Sequence, residues 1–233
     1  KDEEIYKKTT QSIYENFSDS WILSRLTSAT VTHTHKDGST VQKSSAFAYD
    51  GDTGTLISET IEPDSDKELA KSYEYDKYGN KISETIKATG EDERTTKFVY
   101  DNQAKNNVKV INPLKHSETR LYDINNRIIK VTGPNGLSTS WAYDIMGRKI
   151  LETRADDTTT TWTHTWDETF ANSMYKVVQS SSGTPPVETY FDTLNRKLRV
   201  TKIGFDGSKI YKDVFYNALG QVQKASTPYY SHD

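Results

Sequence analysis

The sequence predicts an all-β chain, folded as a continuous antiparallel meander of β-hairpins. Three observations carry that prediction. An aromatic residue followed by Asp or Asn recurs eight times in 233 residues: Tyr49-Asp50, Tyr75-Asp76, Tyr100-Asp101, Tyr122-Asp123, Tyr143-Asp144, Trp166-Asp167, Phe191-Asp192 and Tyr216-Asn217. The steps are 26, 25, 22, 21, 23, 25 and 25 residues, and such a period marks a stacked array of one supersecondary unit. A second set of turn formers falls midway between the copies. The composition holds 15 Tyr and 30 Thr against 6 Pro, and aromatic and β-branched side chains pack well on a pleated surface. Only 33% of residues are hydrophobic, so the burial expected is shallow and aromatic-rich.

Each element follows from its neighbours. Asp76, Asp144 and Asn217 are followed at the third position by Gly79, Gly147 and Gly220, and Asp123 and Asp192 by Asn126 and Asn195. Gly and Asn tolerate a left-handed backbone best. A short loop that ends in such a residue is a hairpin turn with a bulge, and an Asp at its start accepts hydrogen bonds from N–H groups inside it. The copies at Asp50, Asp101 and Asp167 have longer or degenerate loops. The second turn set comprises Asp37-Gly38, Gly90-Glu91, Asn112-Pro113, Pro134-Asn135-Gly136, Asp156-Asp157, Ser182-Gly183 and Asp206-Gly207. Turns every 10 to 13 residues separate consecutive antiparallel strands. Side chains two apart share a face, so Phe47 and Tyr49, Tyr73 and Tyr75, Phe98 and Tyr100, Trp141 and Tyr143, and Val214 and Tyr216 are expected to build an aromatic ladder across the sheet. Residues 1–20 read as an irregular lead-in and 21–233 as an array of about eight repeats. A helical turn is expected over Lys67–Ser72 and a loop insertion over Glu168–Tyr175. No Pro/Gly/Ser-rich linker marks a domain boundary.

The copies WAYDIMGRKILETRADDTTTTW and YEYDKYGNKISETI resemble the YD repeat of Rhs-family proteins, which include bacterial Rhs toxins, the B and C components of Tc toxins, and wall-associated proteins. The stretches SWILSRLTSATVTHT and GTPPVETYFDTLNRKLRVTKIGFDGSKIYKDVFYNALGQVQKASTPYY are similar to bacterial members with long shells. The similarity runs from Trp21 to Tyr230. It implies a strip of hairpins that spirals into a hollow shell, enclosing in bacterial members a toxic C-terminal polypeptide. The Asp-Pro-x-Gly motif that precedes the toxin in complete members is not found, so the expectation is a mature product or cut fragment, part of the shell wall alone. The partners implied are the rest of the shell and an enclosed C-terminal polypeptide, in a secreted or cell-surface bacterial setting.

Composition and motifs narrow the function classes. A net charge of −3 argues against a phosphate-backbone binder, which carries a basic surplus. The longest clean apolar run, Trp21-Ile22-Leu23, is far short of a membrane helix. With no Cys there is neither a disulfide framework nor a thiolate metal site. His33 and His35 share a strand face near Asp37, but no third ligand is indicated. His116, His164 and His232 stand alone. The repeat aspartates form no EF-hand loop, and turn capping accounts for them. No Gly-x-Ser-x-Gly elbow or phosphate-cradling Gly loop is present. Asp156 and Asp157 are adjacent, unsuited to a glycosidase pair. Asn16-Phe17-Ser18 is a glycosylation sequon of a length that arises by chance. The expectation is a non-enzymatic wall without metal or cofactor, whose terminal edge strands self-associate. The alternative is a surface adhesion module that binds glycan or protein through exposed aromatics.

Overall fold

The computed structural model describes residues 6–230. These form 19 strands in an antiparallel meander, with one 3₁₀ turn at Ser18–Ser20 and no α-helix among the described residues. The chain divides into two units between Thr119 and Arg120. The first holds β1 (Tyr6–Phe17), β2 (Ile22–His35), β3 (Thr40–Tyr49), β4 (Leu56–Ile61), β5 (Leu69–Tyr75), β6 (Lys81–Ala88), β7 (Arg94–Tyr100) and β8 (Asn107–Ile111). The second holds β10 (Ile128–Thr132), β11 (Ser138–Tyr143), β12 (Lys149–Thr153), β13 (Thr159–Trp166), β14 (Tyr175–Ser181), β15 (Thr184–Phe191), β16 (Lys197–Ile203), β17 (Lys209–Tyr216), β18 (Val222–Ala225) and β19 (Tyr229–Tyr230). The boundary falls inside β9 (Ser117–Tyr122), which is why no linker composition marks it.

One turn design serves both edges of the meander. In Asp144–Arg148 the first N–H donates to the fifth carbonyl at 2.9 Å, and the fourth N–H returns to the first carbonyl at 3.0 Å. The same two bonds close the turns at Asp76, Asp123, Asp192 and Asn217, and those that begin at His35, Asn112, Gly133, Arg154 and Gly204 on the other edge. The fourth residue is left-handed in each, from Asp157 (φ 62°) to Gly79 (φ 85°). The strand register then slips beside the aromatic of the repeat, at Tyr49, Tyr75, Tyr100, Tyr143, Phe191 and Tyr216. That slip is a separate β-bulge just beyond the turn, because the turns of the same design on the other edge lead into strands that pair without one.

Three expectations are corrected. Residues 1–5 lie outside the described ones, and over residues 6–17 the irregular lead-in is instead β1, a 12-residue strand paired along β2. Its residues are exposed but for the last, so no apolar alternation announced it, and the partner strand supplies its order. The helical turn over Lys67–Ser72 is replaced by the start of β5, which pairs with β4 and β6. The aromatic ladder does not form: among the described residues, none of its rings contacts another. Equivalent rings of consecutive repeats stand two strands apart, roughly 9.6 Å. Cations of the intervening strands and turns fill the gap.

The sheet has almost no apolar core. Leu198, at 9% exposure, is the one buried hydrophobic residue among those described. The other buried side chains are polar: Ser83, Thr160, Ser173, Asp192, Thr201 and Asp213.

Candidate functional site

The candidate site is the hairpin edge that carries the aromatic–aspartate turns. In each regular copy the carboxylate splits its two oxygens between two tasks. Oδ1 of Asp144 accepts the N–H groups of Met146 and Arg148, both at 2.9 Å, and Oδ2 accepts Nε of Arg148 at 2.7 Å. Asp123 does the same with Asn125 and Arg127, and Asp192 with Leu194 and Arg196. Asp76 uses Tyr78 and Asn80, and Asn217 accepts from Leu219 and Gln221. The longer loops keep part of the pattern. Asp50 caps Asp52 and Thr53, and Asp101 caps Gln103, Lys105 and Asn106.

Hydrogen bonding sets the charge state of these carboxylates. Desolvation raises the Asp144 carboxyl and is the largest effect, but the Arg148 N–H and guanidinium together hold it below the ordinary value. For Asp123 the Arg127 N–H is the leading cause of a depressed pKa. Asp167 falls to about 2, first through the Thr169 hydroxyl and then through Lys176, whose Nζ lies at 2.9 Å.

The tyrosines join one repeat to the one before. The hydroxyl of Tyr49 donates to the carbonyl of Leu26 at 3.1 Å, Tyr75 to Leu56 at 2.8 Å and Tyr100 to Lys81 at 3.3 Å. Tyr143 donates to Ile128 at 2.9 Å and Tyr216 to Lys197 at 3.1 Å. Except for Leu26, each acceptor is the first residue of the return strand of the preceding hairpin.

The residue four after the aspartate reaches forward as well. Asn80 Nδ2 donates to the Ala104 carbonyl at 2.7 Å, and Arg127 Nη1 to the Asp144 carbonyl at 3.3 Å. The Arg127 guanidinium lies 4.8 Å from the Tyr143 ring centre and Arg196 4.7 Å from that of Tyr216. Lys81 sits 5.2 Å from both Tyr73 and Phe98, and Lys149 lies over Trp141 and Trp162. The sequence reading missed these cations and the role of the hydroxyls. Their signal was present as a polar residue four after Asp in Asn80, Arg127, Arg148, Arg196 and Gln221.

Two copies depart from the rule. Phe191 lacks a hydroxyl and stacks on Tyr175, with ring centres 5.0 Å apart and planes 9° from parallel. The Tyr175 hydroxyl bonds Oδ1 of Asn195. Trp166 is 76% exposed, and the turn after it is an eight-residue loop from Asp167 to Met174. Tyr122 ends β9, with Asn126 left-handed at φ 63° in the turn that follows.

Other residues weighed in the sequence serve local structure. Asp156 Oδ1 caps Thr158 in the turn where Asp157 is left-handed. The Tyr6 hydroxyl bonds His33 Nδ1, and its ring contacts both His33 and His35. Asn16 Oδ1 accepts the Ser24 N–H at 2.8 Å. His232 lies outside the described residues. A second cluster covers β16 and β17: Arg199 makes a two-bond ion pair with Asp213, both at 2.7 Å, between the rings of Phe170 and Tyr211. Tyr229 bonds both members. Among the described residues no helix is long and apolar enough to cross a membrane.

The family model described as RHS Repeat matches residues 122–159, the family that the sequence resembles. No curated protein matches the chain. Among solved structures, the crystal structure of TcdB2-TccC3-TEV aligns with 94% of this chain at a TM-score of 0.61 and 13% identity. TcdB2-TccC3-Cdc42 aligns over the same share at 0.62 and 13% identity. The Photorhabdus luminescens Tc holotoxin pore aligns over 96% at 0.51 and 12% identity. The chain shares their fold. It spans 12% of the length of the first two structures and 14% of the third.

Proposed function

We propose that this chain is a wall segment of a secreted or cell-surface bacterial Rhs-type protein, and that the wall encloses or presents a toxic C-terminal polypeptide. The wall acts by confinement and needs no chemistry of its own. The observation that carries this reading is the near absence of a core behind a continuous hydrogen-bonded meander among the described residues. One hydrophobic residue is buried among those described, while hydroxyl clamps from Tyr49, Tyr75, Tyr100, Tyr143 and Tyr216 and cations over the rings stitch hairpins to their neighbours. A sheet built in this way gains its rigidity within its own layer and leaves side chains available to whatever it faces.

Limited proteolysis of the parent polypeptide tests the proposal. Its C-terminal tail should be cut far more slowly in the intact protein than in a variant lacking residues 122–159. Equal cutting rates would remove the confinement role. Exposure of Trp21 at 87% and Trp166 at 76% favours the second reading, a surface adhesion module. A glycan array that returned a saturable ligand, lost on substitution of either tryptophan, would replace the first reading with the second.

A further inference from the structure

The repeat at Trp166 leaves a vacancy that its neighbours fill. Around Asp144, the guanidinium of the preceding Arg127 covers the Tyr143 ring and donates to the Asp144 carbonyl. Around Asn217, Arg196 covers Tyr216 in the same manner. Arg148 holds the equivalent position before Trp166-Asp167. Its Nε is engaged by Asp144, but its two Nη groups meet no acceptor and its guanidinium covers no ring among the described residues.

The loop Asp167–Met174 explains why. Phe170 packs 5.8 Å from Tyr190 and beneath Arg199. Ser173 Oγ donates to the carbonyls of Asp167 and Phe170, and Lys176 pairs with Asp167. The loop is thus anchored away from Arg148. A cleft of about 520 Å³ opens where a turn would stand, lined by Met146, Arg148, His164, Trp166, Met174 and Tyr175. Its lining offers an exposed indole, the Tyr175 ring and two thioethers beside a guanidinium paired to Asp144 through Nε alone; the Asp192 carboxylate that also lines it is held by Arg196.

We propose that this cleft binds an aromatic side chain carried on an extended segment of another polypeptide. The ring takes the place under Arg148 that Tyr143 takes under Arg127. The main-chain carbonyl that follows it accepts from Nη, as the Asp144 carbonyl does from Arg127. The occupant is argued from two other slots of the same unit, which the chain fills with its own Tyr143 and Tyr216. The site stands on this geometry alone and holds whether or not the wall encloses a cargo.

The test is a titration of the whole chain with acetyl-Ala-Tyr-Asp-Ala-amide, followed by NMR at the Trp166 indole N–H and the Arg148 Nε–H. Saturable shifts at both are expected, with a dissociation constant of about 1 mM, as befits a single anchored side chain. Arg148→Gln should weaken binding about fivefold through loss of the cation–ring contact and the charged donor. Trp166→Ala, at an exposed position, should abolish the saturable shift at the Arg148 Nε–H while the Trp162 indole signal stays in place as the control for folding. A peptide with Leu for Tyr should not bind. The proposal is overturned if the tyrosine and leucine peptides shift the same signals equally, if neither saturates, or if Arg148→Gln binds as the parent does. It is also overturned if maltohexaose saturates these residues in preference to the peptide.

Discussion

At the scale of single residues, the turn explains why Asp, then Gly or Asn, recur at fixed spacing. Loss of the Asp144 carboxylate strands the N–H groups of Met146 and Arg148 and frees Arg148 Nε. Asp144→Ala should therefore lower the melting midpoint by about 2–4 °C. Gly147 is left-handed at φ 82°, and a Cβ there would stand 3.4 Å from Nη1 of Arg127. Gly147→Val should cost about 1–3 kcal/mol in backbone strain, more than Asp144→Ala. Asn126→Gly keeps a φ that glycine also favours and should move the midpoint least of the three. The hydroxyl clamp has its own test: Tyr143→Phe removes the bond to the Ile128 carbonyl and should cost about 1 kcal/mol. Tyr78→Phe, at a ring 66% exposed, should cost nothing. Equal melts for Tyr143→Phe and Tyr78→Phe would show that the clamp adds no stability. Arg199→Leu leaves Asp213, 5% exposed, without its charged partner and should cost about 2–3 kcal/mol in a denaturant titration.

At the scale of the hairpin, the aspartates act together. Their pKa values are held below the ordinary 3.8 in Asp37, Asp50, Asp76, Asp101, Asp123, Asp144, Asp156, Asp192 and Asp206, and down to about 2 in Asp167. A carboxylate depressed by folding contributes stability above its unfolded pKa and loses it as pH falls through its folded one. The melting midpoint should stay level from pH 7 to about 5, then fall through about pH 4 to 2 as turns on both edges protonate. A midpoint that declines instead between pH 7 and 5 would place the sensitivity on histidine. These turns were legible in the sequence because their chemistry is local: Asp, the left-handed residue and the capped N–H groups lie within five positions. The hydroxyl clamps and the cations over the rings were not. Tyr143 meets Ile128, 15 residues back, and that meeting depends on a register set by the bulge. Strand β1 was illegible for a different reason. It carries neither turn residue nor apolar alternation, and only its 11 register pairs with β2 define it.

At the scale of the molecule, the surface is large for the mass. The chain exposes 16505 Å², whereas two separate compact bodies of half its mass would together expose about 13,000 Å². Hydrophobic side chains crown the hairpin tips, with Ile145 fully exposed, Ile124 at 96% and Leu219 at 83%. Such a surface favours contact with other chains, and two routes are open. One runs through the apolar tips. The other runs through β1, which among the described residues pairs with β2 alone and presents Tyr6, Ile13 and Tyr14 more than half exposed. A long edge strand is a template for pairing, and β1 carries no Pro and runs in unbroken register with β2 from Tyr6 to Ile13. We expect reversible, concentration-dependent association through β1, seen as a rising weight-average sedimentation coefficient. Ile13→Lys places a charge on that edge and should suppress the rise, while Ile145→Lys should leave it unchanged. Sedimentation that stays monomeric at every concentration would remove the edge route. If Ile145→Lys rather than Ile13→Lys abolished association, the tips would be the contact and the β1 edge would be silent.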